Sequence, residues 1–225
     1  AKFTGDGQLQ WVKQSTGTNN TGSGRLAVDP VGNAFITGVF TASASFHNLV
    51  LSNAVAGNYY YLTKYDSVGN ALWAQSLGMG GSRSAVTVDS SGNCYAAAEL
   101  SGNTNIFSKF DAGGDLLWTK IVPNGMFMLF QLAADSVGNC FFSGSLYNQT
   151  TFDGQTLGSA GNNDALLGKI NTSTPPPLNL VPQGGSVQLS WPDLAAGFHL
   201  ESADHFDPAL SWTSNAATVN TLGLT

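Results

Sequence analysis

The sequence predicts an all-β protein made of about three four-stranded antiparallel units and part of a second β domain. Two short turn motifs alternate along residues 1–171, β-branched and aromatic residues flank the turns, and long runs of helix formers are absent. Glycine accounts for 27 of the 225 residues, and only 10% of residues are charged, against about 25% in an average soluble domain. This composition is typical of a β-rich chain with many turns.

The first turn motif reads Asp-x-x-Gly-Asn, and an aromatic residue follows it two positions later. An aspartate at the first turn position, with glycine three residues later, is typical of a type I turn that ends in a left-handed residue. Such a turn joins two antiparallel strands, so each copy predicts a β-hairpin. The three copies contain Asp29 and Gly32, Asp89 and Gly92, and Asp135 and Gly138.

The second turn motif reads Lys-aromatic-Asp-x-x-Gly and is followed by tryptophan. We expect its aspartate to cap the turn, its glycine to adopt a positive φ, and its tryptophan to pack between neighbouring units. A variant that ends in Trp11 opens the chain, and a truncated copy at 169–171 closes the series. The two full copies contain Asp66, Gly69 and Trp73, and Asp111, Gly114 and Trp118.

The two motifs together define the predicted units. Strands such as 34–36 and 59–62 are apolar almost continuously, which indicates burial on both faces. Four-stranded sheets that neighbours cover on both faces are β-propeller blades. The predicted blades span 12–74, 75–119 and 120–171, after a last hairpin of an earlier unit at 1–11. Propellers close with about four or more blades, so we expect the ring to be completed by a longer parent chain or by other copies.

These motifs resemble those of the bacterial seven-bladed β-propeller repeat family. The resemblance extends to an insertion in the third unit, where 151–154 and 161–164 match the family pattern, and more loosely to 44–47 and 57–59 in the first unit. The second unit lacks this insertion. The resemblance implies a secreted or cell-surface protein without assigned catalysis. Quinoprotein propellers form an alternative class, but their Asp-to-Gly spacing is one residue longer than the spacing here.

The pattern changes after the propeller region. Pro175, Pro176 and Pro177 predict a stiff linker at 172–177. In 178–225, Val187, Leu189 and Trp191 alternate onto one face of a predicted strand. This segment resembles a fibronectin III-like or immunoglobulin-like module. Such sandwiches need about 100 residues, so we expect 178–225 to be a partial β-sandwich.

Several site classes are disfavoured by the residues present. The net charge is −6 and the eight Lys and Arg residues are dispersed, which argues against nucleic-acid binding. No apolar run approaches the length of about 18 residues that a membrane span requires. Single aspartates in separate hairpins favour turn capping over calcium binding, which requires several oxygens in one loop. No metal motif includes His47, His199 or His205.

Other recurrent residues have structural interpretations. Lys64 and Lys109 recur in register with Lys169, which favours a role within each blade. Cys94 and Cys140 occupy matching strand positions. They are predicted either to be small buried residues or to form a bridge between adjacent blades, which would require Cα atoms within about 7 Å.

The functional prediction is a secreted or cell-surface, non-catalytic binding or scaffold protein. Catalytic, cofactor and metal residues are predicted to be absent, and the ligand is an unspecified protein or glycan that contacts loops such as 41–56 and 147–163. An alternative is a subunit of an extracellular assembly or filament that associates through its open blade faces. A polysaccharide-acting propeller enzyme is disfavoured, because Glu99 is the only glutamate in 1–171 and glycoside chemistry uses paired carboxylates.

Overall fold

A computed structural model describes residues 1–17, 21–125, 127–152, 154–170, 179–183, 186–190, 201–202 and 213–214. These residues form strands and turns and contain no helix, which confirms the predicted all-β class. The chain divides into two compact parts, 1–170 and 171–225. The strands are β1 Lys2–Phe3, β2 Leu9–Trp11, β3 Thr21–Val28, β4 Ala34–Thr41, β5 Ser43–Phe46, β6 Leu49–Ser52, β7 Asn58–Tyr65, β8 Ala71–Val88, β9 Cys94–Leu100, β10 Thr104–Phe110, β11 Leu116–Val122, β12 Phe127–Ala134, β13 Cys140–Leu146, β14 Gln149–Phe152, β15 Gln155–Gly158, β16 Asp164–Ile170, β17 Asn179–Gln183, β18 Ser186–Ser190, β19 Glu201–Ser202 and β20 Thr213–Ser214.

Two four-stranded antiparallel meanders share the long strand β8. The first consists of β3, β4, β7 and the first half of β8, and the second consists of the other half of β8, β9, β10 and β11. Together they form one seven-stranded sheet in the order β11-β10-β9-β8-β7-β4-β3. None of the sheets in the described residues closes on itself.

Strand β8 is continuous across residue 74, after which the sequence prediction places a boundary between units. The strand runs through this position, and its pairing partner changes from β7 to β9 near Gly80. Gly78 has a φ of 115°, and the ladder with β9 breaks register between Gly80 and Ser84. Glycine adopts such a φ with little strain, so the strand passes from one meander to the next without a loop.

A third set of strands repeats the pattern in part. Strands β12, β13 and β16 form a three-stranded antiparallel sheet. The residues that follow Ile170 lie outside the described part of the chain. Separate hairpins, β5–β6 and β14–β15, lie between the second and third strands of the first and third meanders. The second meander has a short turn at 101–103 instead.

Apolar clusters join the consecutive meanders face to face. One cluster combines Phe35 and Tyr60 of the first meander with Val86 and Phe110 of the second. Another combines residues of the second and third, including Phe107 and Phe142, whose ring centroids lie 5.1 Å apart. A third cluster, which includes Phe40, Phe46 and Tyr61, packs the β5–β6 hairpin onto the first meander.

The second compact part is described only in short segments. Strand β17 pairs with β18, and β19 pairs with β20, both antiparallel. The predicted linker at 172–177 lies outside the described residues, as do Trp191, His199 and His205. Among the residues described anywhere in the chain, no helix has the length and apolar character needed to cross a membrane.

Candidate functional site

The Asp-x-x-Gly-Asn turns share one hydrogen-bond pattern. In the turn of Asp29, the backbone N–H of Gly32 donates to the Asp29 carbonyl at 3.0 Å. The Asp29 carboxylate accepts bonds from the Val31 and Asn33 backbone N–H groups at 3.2 and 2.8 Å, and from the Asn33 side-chain amide at 2.7 Å. The same bonds recur in the turns of Asp66, Asp89 and Asp135.

These bonds explain why the motif folds locally. The aspartate satisfies turn N–H groups that would otherwise lack a partner, and the glycine adopts the left-handed conformation that closes the hairpin. Hydrogen bonds from the turn lower the pKa of Asp66 and Asp135. The glycines at the fourth turn position have φ between 82° and 95°, and they are Gly32, Gly69, Gly92, Gly114 and Gly138.

Two variant turns keep the geometry with fewer bonds. In the turn of Asp111, the carboxylate accepts the Asp115 backbone N–H at 2.9 Å, and the asparagine side chain of the other copies is replaced by a second carboxylate. In the first hairpin, the Thr4 hydroxyl takes the place of the carboxylate and accepts the Gln8 backbone N–H at 2.9 Å.

Lysine and tryptophan side chains link the turn of Asp66 to the β1–β2 hairpin and the turn of Asp111 to the first meander. Lys2 Nζ and Trp11 Nε1 both donate to the Ser67 carbonyl, at 2.9 and 3.2 Å. One meander further along, Lys64 Nζ and Trp73 Nε1 both donate to the Ala112 carbonyl, at 2.8 and 3.4 Å. We call this arrangement, two donors on one turn carbonyl, the carbonyl link.

The carbonyl link also brings each indole against a turn glycine. A Cβ atom at Gly114 would lie 2.8 Å from Cγ of Trp73, and a Cβ at Gly69 would lie 3.0 Å from Cδ2 of Trp11. The first distance is shorter than real Cβ contacts, and the second is tighter than most of them. Glycine is therefore required at these two positions both for its positive φ and for the close approach of the indole.

The recurrent lysines also pack on aromatic rings. Lys64 Nζ lies 5.0 Å from the centroid of Phe35, Lys109 Nζ lies 4.9 Å from that of Tyr95, and Lys169 Nζ lies 5.7 Å from that of Phe141. The three aromatic residues occupy the same position after the first turn motif. These lysines therefore contact their own meander by cation–π interactions, and they do not converge on a shared ligand site.

Trp118 is the third tryptophan of the series. It packs near Tyr95, with ring centroids 6.3 Å apart, but its buried Nε1 has no hydrogen-bond partner within the described part of the chain. By the register of the repeat, the carbonyl equivalent to those of Ser67 and Ala112 belongs to Thr172, which lies outside the described residues.

The aspartate turns and the inserted hairpins lie at opposite ends of the meanders. In an antiparallel meander, the first and third connections lie at one end and the second connection at the other. The Asp–Gly turns are first and third connections, and contacts between consecutive turns, such as Ser90 Oγ to the Ser136 carbonyl at 3.3 Å, join them in a row. We call this end the turn end, and the opposite end the loop end.

A cleft of about 260 Å³ opens at the loop end between the second and third meanders. It lies beside the short turn at 101–103, where the other two meanders carry inserted hairpins. The short turn leaves this space uncovered. The lining residues that matter for its chemistry are Glu99, Asn103, Asn105, Phe127, Met128 and Tyr147.

Glu99 is the only carboxylate among the residues that line the cleft. Its Oε1 accepts the Leu129 backbone N–H at 2.8 Å and lies 3.8 Å from Nε of Arg83. Burial raises the pKa of Glu99, against the opposing effects of that hydrogen bond and of the Arg83 charge. The guanidinium of Arg83 also lies 5.3 Å from the ring centroid of Phe130, which fixes a cation beside the carboxylate.

Asn105 also lines the cleft and is only 2% exposed. Its Nδ2 donates to the Gly125 carbonyl at 3.1 Å. Its Oδ1 is buried and has no hydrogen-bond partner among the described residues. A Cβ at Gly125 would lie 2.7 Å from Asn105 Nδ2, so the glycine allows the amide to approach the loop.

The inserted hairpins, which the sequence predicted as contact surfaces, lie at the loop end. Phe46 of β5 is buried against Tyr61, with ring centroids 4.7 Å apart, so this hairpin is anchored to the first meander. His47 is exposed in its turn with a φ of 61°. In the third meander, Phe152 of β14 packs on Phe127, with ring centroids 5.2 Å apart.

The cysteines are both free and buried. Cys94 belongs to the cluster between the first and second meanders, and Cys140 belongs to the cluster between the second and third. Burial raises the pKa of the Cys94 thiol and raises that of Cys140 to about 12. Of the two alternatives left open by the sequence, small buried residues or a bridge between blades, both cysteines are small buried residues in the structure.

A second, more apolar groove of about 240 Å³ lies beside strand β16. Val122, Phe152, Leu157 and Leu166 line it. Leu167, on the same strand, is 78% exposed.

Comparisons with known proteins leave the chain without a demonstrated family. No protein-family model matches the sequence, and no curated protein is significantly similar to it. The resemblance to propeller repeats therefore rests on the turn motifs alone.

Within the described residues, no three His, Cys, Asp or Glu side chains converge as a metal site would require.

Sequence reasoning identified the turn residues but not the cleft. The sequence singles out Glu99 as an isolated glutamate and places Tyr147 at the start of a predicted contact loop, whereas Arg83 and Asn105 belong to no motif. The cleft residues come from different connections of two meanders. The one available signal was the missing insertion in the second unit, which exposes this part of the loop end.

Proposed function

We propose that the chain is a secreted or cell-surface, non-catalytic binding or scaffold protein built from β-propeller blades. The observation that carries the proposal is the carbonyl link. It occurs with the same atoms twice, once between the β1–β2 hairpin and the first meander and once between the first and second meanders. The consecutive meanders also pack on shared apolar clusters. Sheets stacked face to face through a conserved internal repeat are the building principle of propellers.

The blade interpretation assigns structural roles to the repeated residues. The turn aspartates satisfy backbone donors, and the tryptophans and lysines join neighbouring blades. The binding surface is then placed at the loop end, where the connections vary among the blades. Variable loops on a rigid scaffold are a common location of binding surfaces. The strands of 171–225 are proposed to belong to a partial fibronectin III-like or immunoglobulin-like module.

A binding screen tests this function. The full chain, immobilised through a terminal tag, would be exposed to soluble glycans and cell-wall preparations at up to millimolar concentration. Saturable binding to any of them supports a binding module. Absence of binding across the screen, with the fold intact by circular dichroism, would refute the glycan-binding form of the proposal.

Self-association through an open blade face is a second candidate function. The second groove and the exposed Leu167 favour it, because apolar surface left uncovered marks protein–protein interaction sites. The proposed occupant is a second copy of this chain. Light scattering at 1–100 μM, as a roughly hundredfold range, would detect a defined oligomer that Leu167→Lys disrupts. A monomer throughout the range would refute this candidate.

A polysaccharide-acting enzyme is the least favoured function. Glu99 has no second carboxylate among the lining residues of its cleft, whereas glycoside hydrolysis uses two carboxyl groups about 5–10 Å apart. Release of reducing sugar from polysaccharides, lost in Glu99→Gln, would overturn the non-catalytic assignment.

A further inference from the structure

We propose that the cleft between the second and third meanders binds a small, neutral, hydroxyl-rich ligand, such as the end of a glycan chain. This inference rests on the proposed binding function, and it names the site and the chemical class of the ligand. It is carried by the unpartnered acceptor of Asn105, a residue of the lining, by the Glu99 carboxylate in the same lining, and by the compensation of that carboxylate's charge.

The cleft lining contains hydrogen-bond acceptors that a ligand with donor groups could satisfy. Asn105 Oδ1 is buried without a partner among the described residues, while its Nδ2 is held by Gly125. Because Nδ2 is occupied, the amide is oriented with its acceptor unused. A buried acceptor without a donor is unfavourable. Glu99 supplies a second acceptor group in the same lining. Hydroxyl groups of a ligand would donate to the Glu99 carboxylate directly, and to Asn105 Oδ1 once its almost fully covered side chain turns toward the cleft.

The charge of the site favours a neutral ligand over a cationic one. Arg83 lies 3.8 Å from the Glu99 carboxylate and offsets its charge. The remaining polar residues of the lining, including Ser101, Asn103 and Thr104, are uncharged. A polyamine or a lysine side chain would find no excess of negative charge to bind here. A sugar would find hydrogen-bond acceptors and would not need a charge to bind them.

The walls and size of the cleft fit a short segment of sugar. Tyr147 and Met128 are partly exposed along one side, and an aromatic or thioether surface can contact the apolar C–H face of a pyranose ring. The volume of about 260 Å³ is slightly below the range of about 300–1,000 Å³ for small-molecule pockets. The ligand is therefore expected to be a terminus of one or two rings.

The test is a titration of the ¹⁵N-labelled full chain followed by amide chemical shifts. The probes are cellotriose, maltotriose and triacetylchitotriose as neutral glycans, and spermidine as a cation. Two variants address the cleft, Glu99→Gln, which keeps an acceptor for the Leu129 N–H, and Tyr147→Ala. The matched control is Gln155→Ala, which lies beside the other groove.

The expected result is saturable shifts in 99–105 and at Tyr147 with at least one neutral glycan. Glu99→Gln should weaken that binding about five- to tenfold, through loss of charge-assisted hydrogen bonds, and Gln155→Ala should leave it unchanged. Chemical-shift changes of the cleft residues with spermidine and with none of the glycans would overturn the ligand class. Glycan-induced changes at other residues only, or no change with any of the three glycans, would overturn the site. Glycan binding at another surface would leave the proposed binding function standing, so the two failures are distinguishable.

Discussion

Replacing Gly114 by alanine tests the fit between Trp73 and the next turn. The new Cβ would lie 2.8 Å from the indole Cγ, and the residue has a φ of 95°. The left-handed conformation costs alanine about 1–2 kcal/mol. The indole must also shift, which perturbs its contacts with Phe35 and Phe110, at centroid distances of 6.0 and 6.3 Å. Overpacking of this kind costs about 1–3 kcal/mol.

The matched control is Gly92→Ala in the other turn of the same meander. Gly92 has a φ of 82°, but a Cβ there would make only ordinary contacts, at 3.6 Å with the Cβ of Ala112 and 4.0 Å with Oδ2 of Asp29. Both variants carry the conformational cost, and only Gly114→Ala carries the indole clash. We therefore expect the free energy of unfolding to be lower in Gly114→Ala than in Gly92→Ala by about 1–3 kcal/mol.

Urea unfolding of both variants, followed by tryptophan fluorescence and far-ultraviolet circular dichroism, measures this difference by linear extrapolation. Equal free energies of unfolding in the two variants would show that Trp73 does not lie against this glycine. That result would refute the packing described for the carbonyl link.

Three further predictions concern the turns, the thiols and the cleft. Asp89→Ala should lower the free energy of unfolding by about 2–4 kcal/mol, and Asp111→Ala should lower it by about 1 kcal/mol. The Asp89 carboxylate accepts hydrogen bonds from two backbone N–H groups and two side chains, whereas the Asp111 carboxylate accepts one. Similar losses for the two variants on urea titration would contradict this order. Cys94 and Cys140 should resist a thiol reagent at pH 8 in the folded chain, since burial raises the pKa of both thiols. Both should react after the chain is unfolded without a reductant. Reaction of fewer than two thiols in the unfolded chain would indicate a disulfide bridge. The raised pKa of Glu99 means that its contribution to stability is fully present below its unfolded pKa of about 4.3 and is lost as the pH rises through its folded pKa. The urea midpoint of the wild-type chain should therefore fall relative to that of Glu99→Gln between about pH 4 and pH 7, and a relative rise would show that the carboxylate is stabilised in its ionised form.

Features with local chemistry were accessible from the sequence. The turn of Asp29 is determined by a carboxylate, two backbone N–H groups and one asparagine within five residues. The motif therefore predicts a hairpin without knowledge of the rest of the chain. The recurrence of tryptophan after such turns also indicated a shared packing role, although the carbonyl acceptor could not be named.

Features that depend on distant segments were not accessible. The continuity of β8 depends on how Gly78 and its neighbours bend between two pairing partners, and the sequence shows only a glycine-rich stretch there. The cleft combines Glu99 and Asn105 of one meander with Tyr147 of the next. Neither their proximity nor the unpartnered Asn105 Oδ1 could be inferred from spacing, because the stacking of the meanders brings them together.

The central claim is that successive repeats, namely the β1–β2 hairpin and the first two meanders, stack through the carbonyl link. Proton NMR tests it most directly, through nuclear Overhauser effects between each indole and its turn glycine. The account predicts cross-peaks from the Trp73 ring to the Gly114 α-protons and from the Trp11 ring to those of Gly69, with ring-current shifts of these glycine protons that Gly92 does not show. Absence of both cross-peaks, with unshifted Gly69 and Gly114 resonances in the folded chain, would contradict the account.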